Sequence, residues 1–269
     1  MTVQTVRWAP WLYGADEPPL DDPAEAFHEA SKLSPATAGR DARGLVLLET
    51  REEMRRSVAR SVRRWSQVEP LALPEPRLRD APLVQALRTR TSERVFADVP
   101  LALVELATLL WAGYGVSRDG GDLALRTVPS GGALYPLELY ALSLRVEGLC
   151  AGLYHYDPLR HVLEPLRVPV AAELVEAITA YPELVSPSGV LLLVTSLFWR
   201  SRFKYGLRGY RFALLEAGHV GQNVLLAAAA LGAAAVPVGG IYDRRVEQLL
   251  EVDGVDESLV YAVSVGRRP

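Results

Sequence analysis

The run Val190-Leu191-Leu192-Leu193-Val194-Thr195-Ser196 constrains the fold of this 269-residue chain more than any other stretch. Seven residues without a charge, too few for a typical helix, read as a buried strand. A buried strand needs layers packed against it. Helical patterns at Leu83–Arg90, Leu101–Gly113, Ala171–Ala180, Tyr210–Leu231 and Arg244–Leu250 can supply them. Gly113 or Gly115 suits the end of the second of these. Further strands are predicted at Leu137–Val146, Gly152–Tyr156, Val162–Arg167, Ala234–Val238 and Ser258–Val265. The turn Asp157-Pro158 joins two of them as a hairpin. The pattern is that of an α+β fold, a sheet covered by helices. The longest apolar stretch, Val224 to Val236, is too short for a membrane span and reads as a buried core helix.

Residues 1–80 have a different character, rich in Pro, Arg and acidic residues. A short helix is expected over Ala24–Leu33, with Asp21 or Asp22 as cap ahead of Pro23. Glu49–Trp65 places Met54, Val58, Val62 and Trp65 on one helical face. Pro70, Pro74 and Pro76 then mark a linker. The expected organisation is an extension, 1–80, packed on a main domain, 81–269.

Composition removes several classes of function. Hydrophobic residues make up 49%, enough for a substantial core. A net charge of −3 argues against a general nucleic-acid binder. Cys150 is the single cysteine, so no disulfide or cysteine-rich metal site can form within the chain. It is expected to be buried or semi-buried in a connection between strands. His28, His155, His161 and His219 lack the H-x-x-x-H spacing of a zinc helix. Met1–Thr5 lacks an apolar signal core, and the expectation is a soluble, cytoplasmic chain with no membrane partner.

Four segments carry the residue types of a binding site. Arg126-Thr127-Val128-Pro129-Ser130-Gly131-Gly132-Ala133-Leu134-Tyr135-Pro136 is a glycine-rich turn ahead of a strand. Its backbone can approach a ligand closely, and its N–H groups can face an anion or the edge of a flat ring. No Gly-Lys-Ser/Thr follows it, so it is not a P-loop. Arg90-Thr91-Ser92-Glu93-Arg94 is either a phosphate clamp or a solvated basic face with Ser92 as a cap. Arg200–Arg211 sets five cations and two tyrosines just after the buried strand. It is either a surface loop paired with acids or the place where Lys204 and Tyr205 move a proton. Val236-Pro237-Val238-Gly239-Gly240 is either a tight turn or a close approach to a planar ligand. Glu216 and His219 are either functional or, like Gln222 and Asn223, polar groups satisfied within helix packing.

In this order the motifs resemble one family, the SagB-type dehydrogenases of the nitroreductase superfamily, which are flavin-dependent azoline oxidases. The resemblance covers most of residues 20–269. It rests on Phe27–Leu33, Arg90–Arg94, Pro129–Tyr140, Lys204–Arg211, Glu216–Asn223 and Val265-Gly266-Arg267. It implies a nitroreductase-like fold, an intertwined homodimer with a mainly antiparallel sheet and FMN at each subunit interface. It also implies that Arg90, Ser92 and Arg94 hold the FMN phosphate and ribityl chain, with Arg267 or Arg268 adding a contact. Pro129, Ser130, Gly131 and Gly132 would meet the flavin from the other subunit. Pro237, Val238, Gly239 and Gly240 would approach its ring. Lys204 would act as base or proton relay with Tyr205 beside it, in oxidation of a thiazoline or oxazoline within a ribosomally made peptide. Residues 1–80 look too short and too Pro-interrupted for a winged-helix peptide-binding module, so a cyclodehydratase partner is expected to deliver the peptide. The alternatives are a general NAD(P)H-dependent nitro or quinone reductase and a non-catalytic flavin-binding scaffold.

Overall fold

The computed structural model describes residues 22–33, 42–59, 62–78, 82–120 and 123–269. The readings made on Met1–Thr5 and on Asp21 lie outside the described residues.

Seven strands form one antiparallel sheet: β1 (Leu71–Ala72), β4 (Leu137–Ser143), β5 (Gly152–Asp157), β6 (Val162–Arg167), β7 (Val190–Leu197), β8 (Ala233–Pro237) and β9 (Glu257–Arg267), in the order β1-β6-β5-β4-β7-β9-β8. The apolar run Val190–Ser196 is β7, an interior strand flanked by β4 and β9. Alternate side chains of a strand point to opposite faces, and both faces are covered here. Leu192 and Val194 join one core, with Leu139, Val263 and Ala235. Leu191 and Leu193 join the other, with Tyr140, Leu142 and Ala262. Double coverage is why β7 shows no polar alternation.

The first face carries α5 (Leu103–Tyr114) and α8 (Phe198–Leu231), packed on each other and on the sheet. The second carries α6 (Ala172–Ala177) and α9 (Asp243–Leu250). Among the described residues α8 alone is long and apolar enough to cross a membrane; half of its most apolar window is buried inside the protein. It ends at Gly232, which is left-handed (φ 73°), and the chain turns at once into β8. The stretch Val224–Val236 is therefore a helix followed by a strand, not one core helix.

Several other expectations are corrected. Glu49–Trp65 is not one helix: α2 (Ala42–Thr50) and α3 (Glu52–Ala59) are separated at Arg51, and Trp65 lies beyond both. The segment around Pro70 and Pro74 contains β1, the sheet's edge, where proline is tolerated. A hairpin, β2 (Val116–Gly120) and β3 (Leu123–Arg126), stands outside the main sheet. Cys150 lies in the β4–β5 connection as expected but is exposed. Arg200–Arg211 is not a loop. It is the first part of α8, broken at Gly206 (φ 53°, ψ −137°). Arginine, lysine and leucine are good helix formers, so only the glycine interrupts the helix. Short helix α1 (Pro23–Ala30) begins where expected, with Asp22 accepting hydrogen bonds from Ala24 and Glu25 N–H.

Candidate active site

The break at Gly206 sets the site. It directs Lys204 and Tyr205 toward the turn between β3 and β4. A Cβ on Gly132 would lie 2.8 Å from Tyr205 Oη and 2.9 Å from Lys204 Nζ, and one on Gly131 would lie 3.2 Å from the Phe212 ring. The two glycines thus leave the space that the lysine and tyrosine fill. Gly132 is also left-handed (φ 66°), a conformation that disfavours any side chain. Tyr205 packs edge-on against Phe212, with centroids 5.0 Å apart. Lys204 and Tyr205 are half-buried, and Gly132 is exposed.

The turn is strained and tightly held. Ala133 (φ 53°) and Tyr135 (φ 45°) are also left-handed without being glycine, which costs on the order of 1 kcal/mol each. Tyr135 N–H donates to Ser130 Oγ at 2.9 Å, and Tyr135 Oη accepts from Arg126 N–H at 3.0 Å. The Arg126 guanidinium lies between the rings of Tyr114 and Tyr135, 4.1 and 4.6 Å from their centroids. Beneath the turn, Tyr114 Oη donates to Glu216 Oε1 at 2.7 Å and accepts from Leu137 N–H at 3.1 Å. Ser130 also hydrogen-bonds Glu216. Burial pushes the Glu216 carboxyl up to about 7, although Ser130, Tyr114 and Arg126 pull the other way.

The remaining expected site residues form a second group. Glu93 N–H donates to Ala235 of β8 at 3.0 Å, so the segment Arg90–Arg94 runs alongside the strand that ends at Pro237. Ser92 and Arg94 are exposed and Arg90 is half-buried. Among the described residues neither guanidinium makes a hydrogen bond or ion pair. Pro237, Val238 and Gly239 border a concavity of about 180 Å³ with Tyr261. A Cβ on Gly239 would meet nothing within 4 Å, whereas Gly240 is packed under the Tyr181 ring. Arg267 is ion-paired with Glu105 at 2.7 Å, and Arg268 is paired with Glu93.

These contacts can be set beside known proteins. Residues 87–267 match the Nitroreductase family. The chain belongs to that family. A protein of Methanocaldococcus jannaschii named as a nitroreductase is 36% identical over 195 residues, 72% of this chain and 94% of the relative. The microcin B17-processing protein McbC of Escherichia coli is 35% identical over 142 residues, 51% of this chain and 52% of its own. Among solved structures, a chain of the E. coli microcin synthetase McbBCD complex with truncated pro-MccB17 bound matches with a TM-score of 0.58 and 25% identity, over 91% of this chain and 92% of that one. The resemblance read from the motifs, and the nitroreductase-like α+β fold with its antiparallel sheet, are borne out.

Within this nitroreductase-family chain, sequence reasoning missed two features. Glu216, open in the sequence to either a functional or a packing role, had no partner assigned, yet it gathers two hydroxyls beneath the glycine turn. His155 is wholly buried on β5, 2.9 Å from Glu138 and 3.0 Å from Glu164. A histidine and a glutamate nine residues apart across a predicted hairpin were the available signal for the second. His219 is exposed on α8.

Proposed function

We propose that this chain is an FMN-dependent dehydrogenase of the SagB type, oxidising a thiazoline or oxazoline ring in a ribosomally made peptide to the thiazole or oxazole. The observation that carries the reading is the seating of Lys204 Nζ and Tyr205 Oη over Gly132, in a nitroreductase-family chain similar to a microcin-processing protein.

The residues present fit an FMN. Arg90 and Arg94 offer unpaired guanidinium forks with a hydroxyl between them, the donor set of a phosphate site. The open side of Gly239 and the bare Gly131-Gly132 turn leave backbone accessible to a flat ring. FMN, when bound, would supply the hydride acceptor. Lys204 would take the proton from the neighbouring ring carbon, with Tyr205 orienting the ammonium or sharing the proton. Half-burial keeps both groups partly out of water, where a proton transfer is better controlled. Ser130 would contribute by shaping the turn, since its hydroxyl is bonded to Tyr135 N–H and Glu216.

The described contacts gather the site residues into two clusters. We infer that a second copy of the chain completes each site, one subunit giving the arginine segment and the other the lysine, tyrosine and glycine turn. Leu83, Val84 and Leu87 of α4 (Leu83–Thr89) are 68%, 58% and 53% exposed, an apolar surface that suits such a homodimer. Helix α5, by contrast, is mostly buried in the core. The likeness to the McbBCD chain supports a peptide substrate brought by a cyclodehydratase partner. The proposed location is the cytoplasm, with neither nucleic acid nor membrane as partner.

The similarity to the M. jannaschii protein favours a second reading, a general NAD(P)H-dependent nitro or quinone reductase. One set of measurements separates them. The purified protein is expected to be yellow and to release FMN on denaturation. It should convert an azoline-containing peptide to the azole, and Lys204→Ala and Tyr205→Phe should keep the FMN and lose that turnover. Undiminished turnover in both variants, or rapid reduction by NADPH with no azoline oxidation, would overturn the proposal.

A further inference from the structure

The turn facing Lys204 and Tyr205 is reached from below by a single carboxylate. Glu216 lies on α8 and is 2% exposed. Two hydroxyls meet it, one on α5 and one in the turn itself, and each also accepts a backbone N–H. Tyr114 Oη accepts from Leu137 N–H, and Ser130 Oγ accepts from Tyr135 N–H. Those two amides flank Pro136, the junction between the left-handed turn and β4. A hydroxyl that accepts an amide proton is polarised to donate its own. One carboxylate can take both hydroxyl protons, because its two oxygens accept only.

We propose that Glu216 is the positioning residue of the site: through Tyr114 and Ser130 it holds the amides of Leu137 and Tyr135, and so fixes the strained turn on which Lys204 and Tyr205 rest. The geometry needs something of this kind. Gly132, Ala133 and Tyr135 are all left-handed, and such backbone persists only where its surroundings over-determine it. Gly132 can admit the lysine and tyrosine only while the turn stays in that shape.

The clamp changes with proton occupancy. The ionised carboxylate accepts from both hydroxyls. The neutral acid carries a proton of its own, so one of the two hydroxyls loses its best acceptor. The ionisable or charged groups facing Glu216 are Tyr114 from α5 and Arg126 from β3, with the Ser130 hydroxyl from the turn. Burial holds Tyr114 well above its ordinary range. Glu216, raised to about 7, is thus the member of the cluster that changes charge near neutrality.

The link from this clamp to turnover rests on the functional reading above; the clamp itself does not. The test therefore has two arms. In the first, amide hydrogen exchange is followed by NMR on the protein alone at pH 8. Ser130→Ala should speed exchange at Tyr135 only, and Tyr114→Phe at Leu137 only. Glu216→Gln should speed both, by about tenfold, the worth of one hydrogen bond. Unchanged exchange at both amides in Glu216→Gln overturns the proposal; if that variant does not fold, unchanged exchange in the two hydroxyl variants does so. In the second arm, kcat for azoline oxidation is measured against pH. A step near pH 7 is expected in the wild type and absent from Glu216→Gln, with FMN binding kept in both. A step that persists in the variant overturns the positioning role. Absence of FMN binding and of azoline turnover in the wild type would overturn the functional reading and leave the exchange result standing.

Discussion

Arg200 Nη1 stands 2.7 Å from Glu138 Oε1, joining the first turn of α8 to the interior of β4. Glu138 is 2% exposed and is central to a buried polar layer. Its other oxygen meets His155 at 2.9 Å, and the Arg63 N–H, from the segment after α3, reaches Oε1 at 3.0 Å. Burial alone would raise this carboxyl. Arg200 and His155 outweigh that and hold it at about 2. Because Arg200 starts the helix that carries Lys204, one ion pair fixes both the sheet and the approach to the site.

Removing the cation leaves a buried carboxylate short of charge. Arg200→Met should destabilise the fold by about 3 kcal/mol at pH 7, the usual scale for breaking a buried pair from one side. Glu138 has a lowered pKa, so its contribution is present above about 4.5 and is lost as pH falls toward 2. The deficit of the variant should shrink over that interval. Urea unfolding at pH 7 and at pH 3 measures both, and an equal deficit at the two values would contradict the assignment.

His155 gives a second dependence of the opposite sense. Burial lowers its pKa, but hydrogen bonds to Glu138 and Glu164 on either side raise it above 6.5. Its stabilisation is fully present below the unfolded value near 6.5 and is lost as pH rises through the higher folded value. An NMR titration should place the imidazole above 6.5, and His155→Gln should flatten the fall in melting temperature on the alkaline side of that point. Titration below 6.5 would show that desolvation wins. The Trp65 ring, 4.6 Å away, covers this histidine and belongs to the same test.

How far the sequence disclosed this arrangement depended on local pattern. The interior strand β7 was legible because every side chain of Val190–Val194 is buried and apolar. The edge strand Leu71–Ala72 was not, since two residues between prolines carry no period. Arg118, Asp119 and Gly120 likewise hid the β2–β3 hairpin, which contributes no strand to the main sheet. The glycine turn and the lysine–tyrosine pair were legible as motifs, although Gly206 made a broken helix look like a loop. The partnership of Glu216 with Tyr114 was not, because 102 residues separate them and only the packing of α5 on α8 brings them together.

The unpaired arginines yield a third prediction. Arg90 and Arg94 have no intramolecular partner among the described residues, so neutralising them leaves no charge uncompensated inside the fold. The double variant Arg90→Ala/Arg94→Ala should melt within about 0.5 kcal/mol of the wild type and yet purify colourless. Absorbance at the flavin band together with the unfolding midpoint distinguishes the cases. A fully flavinated, normally stable variant would remove these residues from the site.

Helix α2 packs against α8 beside the proposed base. A Cβ on Gly44 of α2 would lie 1.9 Å from the Phe203 carbonyl oxygen and 3.2 Å from Lys204 Cα. These are backbone atoms at the broken turn of α8, so they cannot swing aside as a flexible side chain would. From the same helix α8, Arg211 donates to Ser31 Oγ at 2.8 Å and to the His28 carbonyl at 2.7 Å, tying the end of α1 to this stretch. Gly44→Ala must therefore separate α2 from α8 or shift the segment bearing Lys204. Overpacking of this kind costs about 1–3 kcal/mol. The expected outcome is a lower melting temperature with FMN retained and azoline turnover reduced, because the arginine segment is untouched and the lysine is displaced. Wild-type stability and turnover in Gly44→Ala would mean that α2 does not press on the site.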